Sequence, residues 1–414
     1  MTTTITGPRH DCDWDASFDK ALAAQLSRRG TRRRVAFWLL AFVFATAMLG
    51  TTVPTPLYAI YQVRWHFSAA MVTLIFAAYG AAVLATLLLA GRSSDQAGRR
   101  PVLAVALGVS ALSTVAFILA PDEGVLLVGR VLSGVSAGLM TGTATAALTE
   151  LIPASAARRA SLVATAANMG GLGLGPLIAG LFAQYAPHPT TLVFEVYLAV
   201  LAVAGLCLRF VPETVSPRRR PALRFAGLGL PEQGRGQFIA AAVAAFAAFA
   251  LLGLFSSLVP GFIGGVLHQG SHVVQGAVVF GIFAVGTVTQ VALSRFSSRR
   301  VVLAGLGLFL VALALIVAAL ALAAMALFLA GTVVGGVAVG AIFLGSLATA
   351  NRLAPPERRG QAISAFFVAC YTGLIIPVVG VGVLSGFTGI FPAVLAFSVL
   401  LAALCLFSLT AARR

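Results

Sequence analysis

The sequence predicts an all-α membrane protein: twelve transmembrane helices in two parallel six-helix halves, with both termini cytoplasmic. Three observations lead there. Twelve apolar segments have bilayer-spanning length, arginines are confined to alternate loops, and the halves match at an offset of about 200 residues. Of the 414 residues, 59% are apolar and only 10% charged, and mean hydropathy is +0.99. A water-soluble domain carries roughly a quarter of its residues as mixed-sign charges, so a soluble fold is excluded.

A bilayer core takes about 20 apolar residues in a helix, because backbone polar groups cannot be left unpaired in hydrocarbon. Windows of that length fall at 35–57, 69–90, 102–120, 124–148, 160–184 and 191–211 in the first half. In the second half they fall at 237–260, 273–294, 301–320, 322–348, 361–384 and 389–410. Between the ninth and tenth, Ala and Leu run on with almost no turn signal. Residues 1–34 read as a cytoplasmic tail, with Asp11, Asp13, Asp15 and Asp19 ahead of Arg28, Arg29, Arg32, Arg33 and Arg34. The first apolar run is too long for a signal h-region and lacks a cleavage site. Residues 212–236 form a cytoplasmic linker and 411–414 a short tail.

Arginines are retained on the cytoplasmic side of short loops. Here they recur at Arg92, Arg99 and Arg100; Arg158 and Arg159; Arg218, Arg219, Arg220, Arg224 and Arg235; Arg295, Arg299 and Arg300; Arg352, Arg358 and Arg359; and Arg413 and Arg414. The intervening loops hold Arg64 as their single arginine. One missed or spurious span would invert this alternation downstream. The net charge of +16 is therefore an orientation signal. Nucleic-acid binding would need a basic face on a soluble module, and no polar stretch is long enough. Cys207, Cys370 and Cys405 lie in apolar runs and Cys12 in the tail, so no disulfide framework is readable.

At a shift of 200, Arg99, Arg100, Val102, Leu103 and Ala104 align with Arg299, Arg300, Val302, Leu303 and Ala304. At 202, Gly129, Val131, Gly134, Val135, Gly138, Leu151 and Pro153 align with Gly331, Val333, Gly336, Val337, Gly340, Leu353 and Pro355. The halves are thus 35–211 and 237–410. Parallel halves of this kind hold a substrate path between them near the bilayer midplane, and access alternates as one half rocks on the other.

Gly91, Asp95, Gly98, Arg99 and Arg100 between spans 2 and 3 fit G-x-x-x-D-x-x-G-R-[KR], which resembles the signature of the major facilitator superfamily. Arg130 to Gly138 in span 4 is similar to that superfamily's R-x-x-x-G motif. Gly171, Gly175, Pro176 and Gly180 in span 5 resemble the G-x-x-x-G-P-x-x-G-G motif of its drug/proton antiporters, with Ala179 where the first of the paired glycines belongs. The resemblance implies a cytoplasmic latch in which Asp95 and Arg99 join Glu150 at the end of span 4, stabilising the outward-facing state and breaking on inward opening. Solvated loop charges that fix topology are the alternative. In the second half Arg295 replaces the aspartate, Ser298 the glycine, and Arg352 stands opposite Glu150, so the same latch cannot form there. The resemblance also places the span 5 motif at the interface between halves.

Arg130 is the one arginine well inside an apolar span, and Glu195 in span 6 the one carboxylate well inside an apolar run. A buried charge costs about 2.5–3.5 kcal/mol on insertion scales and normally marks function. Both are candidates for proton coupling, with snorkelling to the outer headgroups as the alternative. Path-lining candidates are Thr51, Thr52, Thr55, Tyr58, Tyr79, Thr141, Asn168, Ser256, Ser257, Gln290 and Tyr371. Hydroxyls, amides and rings without fixed charge suit a neutral, amphipathic or weakly cationic solute. The glycines of spans 4 and 10, among them Gly134, Gly138, Gly336 and Gly340, have small-xxx-small spacing that packing explains.

All five histidines lie in tails or outer loops, so no metal or nucleophile site is readable, and no G-x-x-x-x-G-K-[ST] loop occurs. A transporter is expected, not an enzyme, and no cofactor. The expected activity is proton-coupled efflux of a small organic molecule by a monomer in a bacterial inner membrane. Uptake or facilitated diffusion of a sugar or other metabolite is the alternative, and a sensor lacks the soluble domain it would need.

Overall fold

A computed structural model describes residues 14–91, 93–215, 227–231, 233–355 and 358–413. Asp11, Asp13, Cys12, Arg92, Arg218, Arg219, Arg220, Arg224 and Arg414 lie outside them. Among the described residues the secondary structure is helical throughout, and twelve helices are long and apolar enough to cross a membrane.

In the N-terminal half, α1 (Trp14–Thr52) and α2 (Pro54–Trp65) together make span 1. Then come α3 (Ala69–Ala90), the short α4 (Ser93–Ala97), α5 (Arg99–Ile118), α6 (Glu123–Leu151), α7 (Ala157–Tyr185) and α8 (Pro189–Leu208). In the C-terminal half, α9 (Arg235–Ser257) and α10 (Val259–Gly265) make span 7. They are followed by α11 (His272–Leu293), α12 (Ser298–Ala321), α13 (Met325–Leu353), α14 (Arg359–Thr388) and α15 (Ile390–Arg413).

Local chemistry accounts for the boundaries. Ser68, Asp122 and Ser271 cap α3, α6 and α11 by accepting from Met71 N, Val125 N and Val274 N at 3.3, 3.1 and 3.4 Å. Proline removes a backbone donor and crowds the preceding turn, and it does so in matching places. Pro54 follows the break between α1 and α2, Pro260 that between α9 and α10, and Pro176 and Pro377 lie inside α7 and α14. Pro176 frees the carbonyl of Leu172, which accepts instead from Thr52 Oγ1 at 2.8 Å. The breaks in spans 1 and 7 are kinks, because the chain continues as helix beyond both prolines.

Packing repeats as the sequence does. In the first half α1 packs on α7, α3 on α6, α5 on α6 and α5 on α8. In the second, α9 packs on α14, α11 on α13, α12 on α13 and α12 on α15. Between the halves the pairs are α7 with α11 and α14 with α3, which exchange under the same correspondence. The central span α9 is 83% buried, whereas α8 and α15 are 33% buried and present apolar side chains outward. This placement decides which polar residues can reach a path.

Candidate functional site

The first motif builds a closed ionic cluster at the arginine-rich end. Gly91 ends α3, where a Cβ would stand 2.6 Å from Leu87 O, and Gly98 joins α4 to α5 with φ of +99°. Only glycine adopts that backbone without strain. A Cβ at Gly98 would also stand 2.8 Å from Glu213 Oε2. The turn delivers Arg99, whose Nη1 lies 2.5 Å from Asp95 Oδ1 and 2.6 Å from Ser94 Oγ. Its Nη2 and Nε donate to Glu150 Oε1 and Oε2 at 2.8 and 3.3 Å. The structure thus joins the three predicted residues Asp95, Arg99 and Glu150.

Sequence reasoning missed a fourth. Glu213, just after span 6, accepts from Arg99 N and Arg100 N at 2.8 and 3.0 Å, capping the first turn of α5 with a carboxylate. Thr214 Oγ1 donates to Glu150 Oε2. The available signal was that Glu213 is one of two acids in residues 212–236. Ser94, Asp95 and Glu150 belong to the half that holds Arg99, and Glu213 and Thr214 to the linker that directly follows it. A cluster built this way ties α4, α5, α6 and the linker into one body, and its integrity does not require the halves to meet.

The corresponding end of the second half is organised differently. Arg359 Nε and Nη2 donate to Asn351 Oδ1 at 3.3 and 3.2 Å, a guanidinium held by an amide oxygen. Arg158 of α7 reaches across the halves to Ser294 Oγ at 2.9 Å. Beside this bridge a cavity of about 670 Å³ opens between α7 and α11, lined by Arg158, Arg159, Leu162, Val291 and Arg295.

Arg130 is 1% exposed, and its Nη1 donates to Thr51 O at 2.5 Å. The guanidinium lies 4.5 Å from the Tyr79 ring centre and 5.6 Å from that of Phe76, so π-faces and a carbonyl stand in for a counter-ion. Among the described residues no carboxylate lies within 4 Å of it. Arg130 Nε, Tyr58 Oη and Thr55 Oγ1 are buried without partners. Glu195 is exposed on peripheral α8, and the structure does not bring it to Arg130.

Tyr371 lies on α14, which packs across the halves against α3, the helix that carries Tyr79. Tyr371 belongs to an aromatic wall with Phe249, Phe343, Phe366 and Phe367, with successive ring centres 5.5–6.5 Å apart. Only Tyr371 of that wall was singled out from the sequence, since isolated Phe residues in apolar spans carry no signal. Thr141 Oγ1 back-bonds to Ala137 O at 2.8 Å. Asn168 is half-buried, and Ser256 and Gln290 are buried on α9 and α11.

The span 5 motif has two faces. Gly171 and Gly175 meet α1 within the half, where added Cβ atoms would stand 2.4 Å from Ala45 O and 2.3 Å from Thr52 Oγ1. Gly180 and Pro176 meet α11 of the other half. A Cβ at Gly180 would lie 2.5 Å from His272 O, and one at Gly276 2.2 Å from Pro176 O. Across α3 and α14, Gly382 is similarly pressed on Thr73. These close approaches lie away from the arginine-rich end, so the halves meet tightly there and leave the cavity at the opposite end.

Among curated proteins the chain is 33% identical over 158 residues to the puromycin resistance protein pur8 of Streptomyces alboniger, covering 38% of this chain and 30% of that one. It is 31% identical over 211 residues to a triacylglyceride transporter of Mycolicibacterium hassiacum, covering 42% and 37%. The chain therefore spans about a third of the length of these relatives. Among solved structures, an inward-facing, occupied bacterial homologue of the human lysosomal transporter Spinster has a TM-score of 0.71 at 15% identity, covering 92% of this chain and 97% of that one. The human organic anion transporter MFSD10 (TETRAN) has a TM-score of 0.68 at 18% identity, covering 91% and 99%. The sequence profile described as Major Facilitator Superfamily matches residues 40–297, well over half of the chain. With twelve spans in paired six-helix halves and that match, the chain belongs to the Major Facilitator Superfamily.

Proposed function

We propose that this transporter exports a small neutral or amphipathic, weakly cationic organic molecule in exchange for protons, working by alternating access as a monomer in a bacterial inner membrane. The arginine-rich end is cytoplasmic under the positive-inside rule, which puts both termini inside. The state described above is then open inward and closed outward, and in it the Asp95, Arg99 and Glu150 cluster is formed, against the expectation that it breaks on inward opening. The observation that carries the reading is the span 5 motif, pressed backbone to backbone on α11 where the halves meet, at Gly180 with His272 and Gly276 with Pro176. A seal of this kind suits a carrier that must not leak protons inward. The path it borders is formed by Tyr79, Tyr371 and the Phe249 to Phe367 wall, which suits an apolar or π-bearing solute. The relative named for puromycin resistance supports export and a drug-resistance role.

One observation favours a second reading, proton-independent facilitated diffusion or uptake of a metabolite. Among the described residues every carboxylate is exposed or lies at a helix end, and Glu195 faces outward. Proton exchange would have to involve Arg130 with its tyrosines, or Asp95 and Glu150 at the membrane edge. The deciding experiment is accumulation of cationic drugs, sugars and biosynthetic products in cells with and without the gene, repeated with the proton gradient collapsed. Lower drug accumulation that reverts on collapse supports the exchanger; gradient-independent equilibration of a solute supports the second reading and overturns the first.

A further inference from the structure

Two pairs of adjacent arginines open spans of the first half, and they are treated differently. Arg99 and Arg100 begin α5, where Glu213 accepts from both backbone N–H groups and Asp95 and Glu150 hold the Arg99 side chain. Arg158 and Arg159 stand in the first turn of α7, where Ala156 at the N-cap offers no side-chain acceptor. Cations in a first turn face the positive end of the helix dipole, the reverse of the favoured placement. Arg158 is held by the neutral Ser294 Oγ at 2.9 Å. Arg159 makes no hydrogen bond or ion pair among the described residues, and neither does Arg295 just beyond α11.

These three arginines line one cavity. The opening of about 670 Å³ between α7 and α11 is bounded by Ser155, Arg158 and Arg159 of the first half and by Val291 and Arg295 of the second. Its lining among the described residues holds three guanidinium groups and no carboxylate. The volume matches roughly 22 waters at ~30 Å³ each, room for a phosphate with the glycerol it esterifies. All three arginines are exposed, so a ligand reaches them from the surface. One flank is apolar and equally open: Val291 is 40% exposed, and Val288, one turn deeper along α11, is 67% exposed. Charge at the mouth and an exposed apolar strip beside it describe an amphiphilic ligand with an anionic head.

We propose that this cavity binds the phosphate group of an acidic membrane lipid, its head between the halves and an acyl chain along Val288 and Val291. The phosphate takes at α7 the part that Glu213 takes at α5. Arg158, Arg159 and Arg295 supply guanidinium donors, whose planar fork matches phosphate oxygens, and Ser155 a hydroxyl. The start of α7 adds the positive end of its dipole. A zwitterionic lipid is selected against, because its ammonium would meet the same guanidinium groups. Since Arg158 and Arg159 belong to one half and Arg295 to the other, the bound anion also screens their mutual repulsion when this end of the molecule closes. The site is independent of which solute is carried and of how its transport is coupled.

The test uses the purified full chain, delipidated and returned to phosphatidylcholine, to phosphatidylglycerol, or to phosphatidylcholine with inorganic phosphate. Native mass spectrometry reads retained lipid, and thermal unfolding reads the stabilisation that binding brings. Phosphatidylglycerol should be retained at least fivefold more than phosphatidylcholine and should raise the melting temperature. Arg159→Gln combined with Arg295→Gln keeps most of both side-chain stems and should bring the retention ratio close to one. Arg159→Glu, which gives the start of α7 an acid of its own, should do the same. Arg352→Gln removes a charge at the same end of the molecule but outside the cavity, and should leave the ratio intact. Melting in phosphatidylcholine shows that each variant is folded. The proposal is overturned if the folded double variant retains phosphatidylglycerol as the native chain does. It is equally overturned if Arg352→Gln lowers the ratio as much as the double variant, since the attraction then belongs to the whole basic surface. Full stabilisation by inorganic phosphate in phosphatidylcholine would also overturn it, because the ligand would then be the free anion.

Discussion

Gly276→Val probes the seal on the side away from the arginines. A Cβ at this position would stand 2.2 Å from Pro176 O, 3.0 Å from Pro176 C and 3.3 Å from Leu177 Cα, all backbone atoms of α7. The shortest of these is about 1.2 Å inside the ~3.4 Å at which ordinary contact begins. No rotamer relieves the clash, so α7 and α11 must separate at this level. Overpacking of this kind costs about 1–3 kcal/mol, and it is imposed only while the outer side is closed. A bias of that size against one of two states changes their ratio about 5- to 150-fold. Outer-side accessibility can be read with a membrane-impermeant maleimide on Thr55→Cys, a position 1% exposed in this state. Labelling should rise at least fivefold when Gly276→Val is added, and transport should fall. Gly205→Val, at a glycine with nothing within 4 Å of an added Cβ, is the control and should change neither. If Gly276→Val labels and transports like the parent, the α7–α11 contact is not a seal.

Three further substitutions test the remaining assignments. Arg130→Met removes a buried cation; because apolar replacement of a buried charge is often neutral for stability, transport should fall more than tenfold with the melting temperature nearly unchanged, and full activity would leave Arg130 a purely structural residue. Glu195→Gln should leave the pH dependence of flux as it is, since Glu195 is exposed on peripheral α8; a lost dependence would return it to the coupling machinery. Glu213→Gln replaces a carboxylate that accepts from Arg99 N, Arg100 N, Thr214 N and Val215 N. For a capping group in an exposed position the expected loss is about 1 kcal/mol, read as a drop of about 1–2 °C in thermal unfolding, and an unchanged melting temperature would remove Glu213 from the cluster.

The fold was legible because its causes are local and repeated. Hydrophobic length and arginine placement are read residue by residue, and the twelve windows agree with the twelve helices within a few residues at most ends. The turn between spans 9 and 10 shows where local reading ends. Ala323 takes φ of +49°, and Ala324 N bonds back to Ala319 O at 2.9 Å, with no glycine or asparagine to announce the reversal. The turn itself is exposed, and the two helices it joins, α12 and α13, pack along each other. The Asp95, Arg99 and Glu150 cluster was readable because its members sit in a motif and at a helix end, whereas Glu213 is 114 residues from Arg99. Glu195 illustrates the opposite limit, because depth along a helix is visible in a sequence but the face it occupies depends on which spans surround it.

The departures between the halves carry more physical content than their agreement. A cluster in which Arg99 is matched by Asp95 and Glu150, and the α5 terminus by Glu213, is electrically complete within one half. It can therefore move as a rigid body without exchanging partners. The second half carries Arg295 and Arg352 at the positions matching Asp95 and Glu150, and there Arg359 is held by the amide oxygen of Asn351.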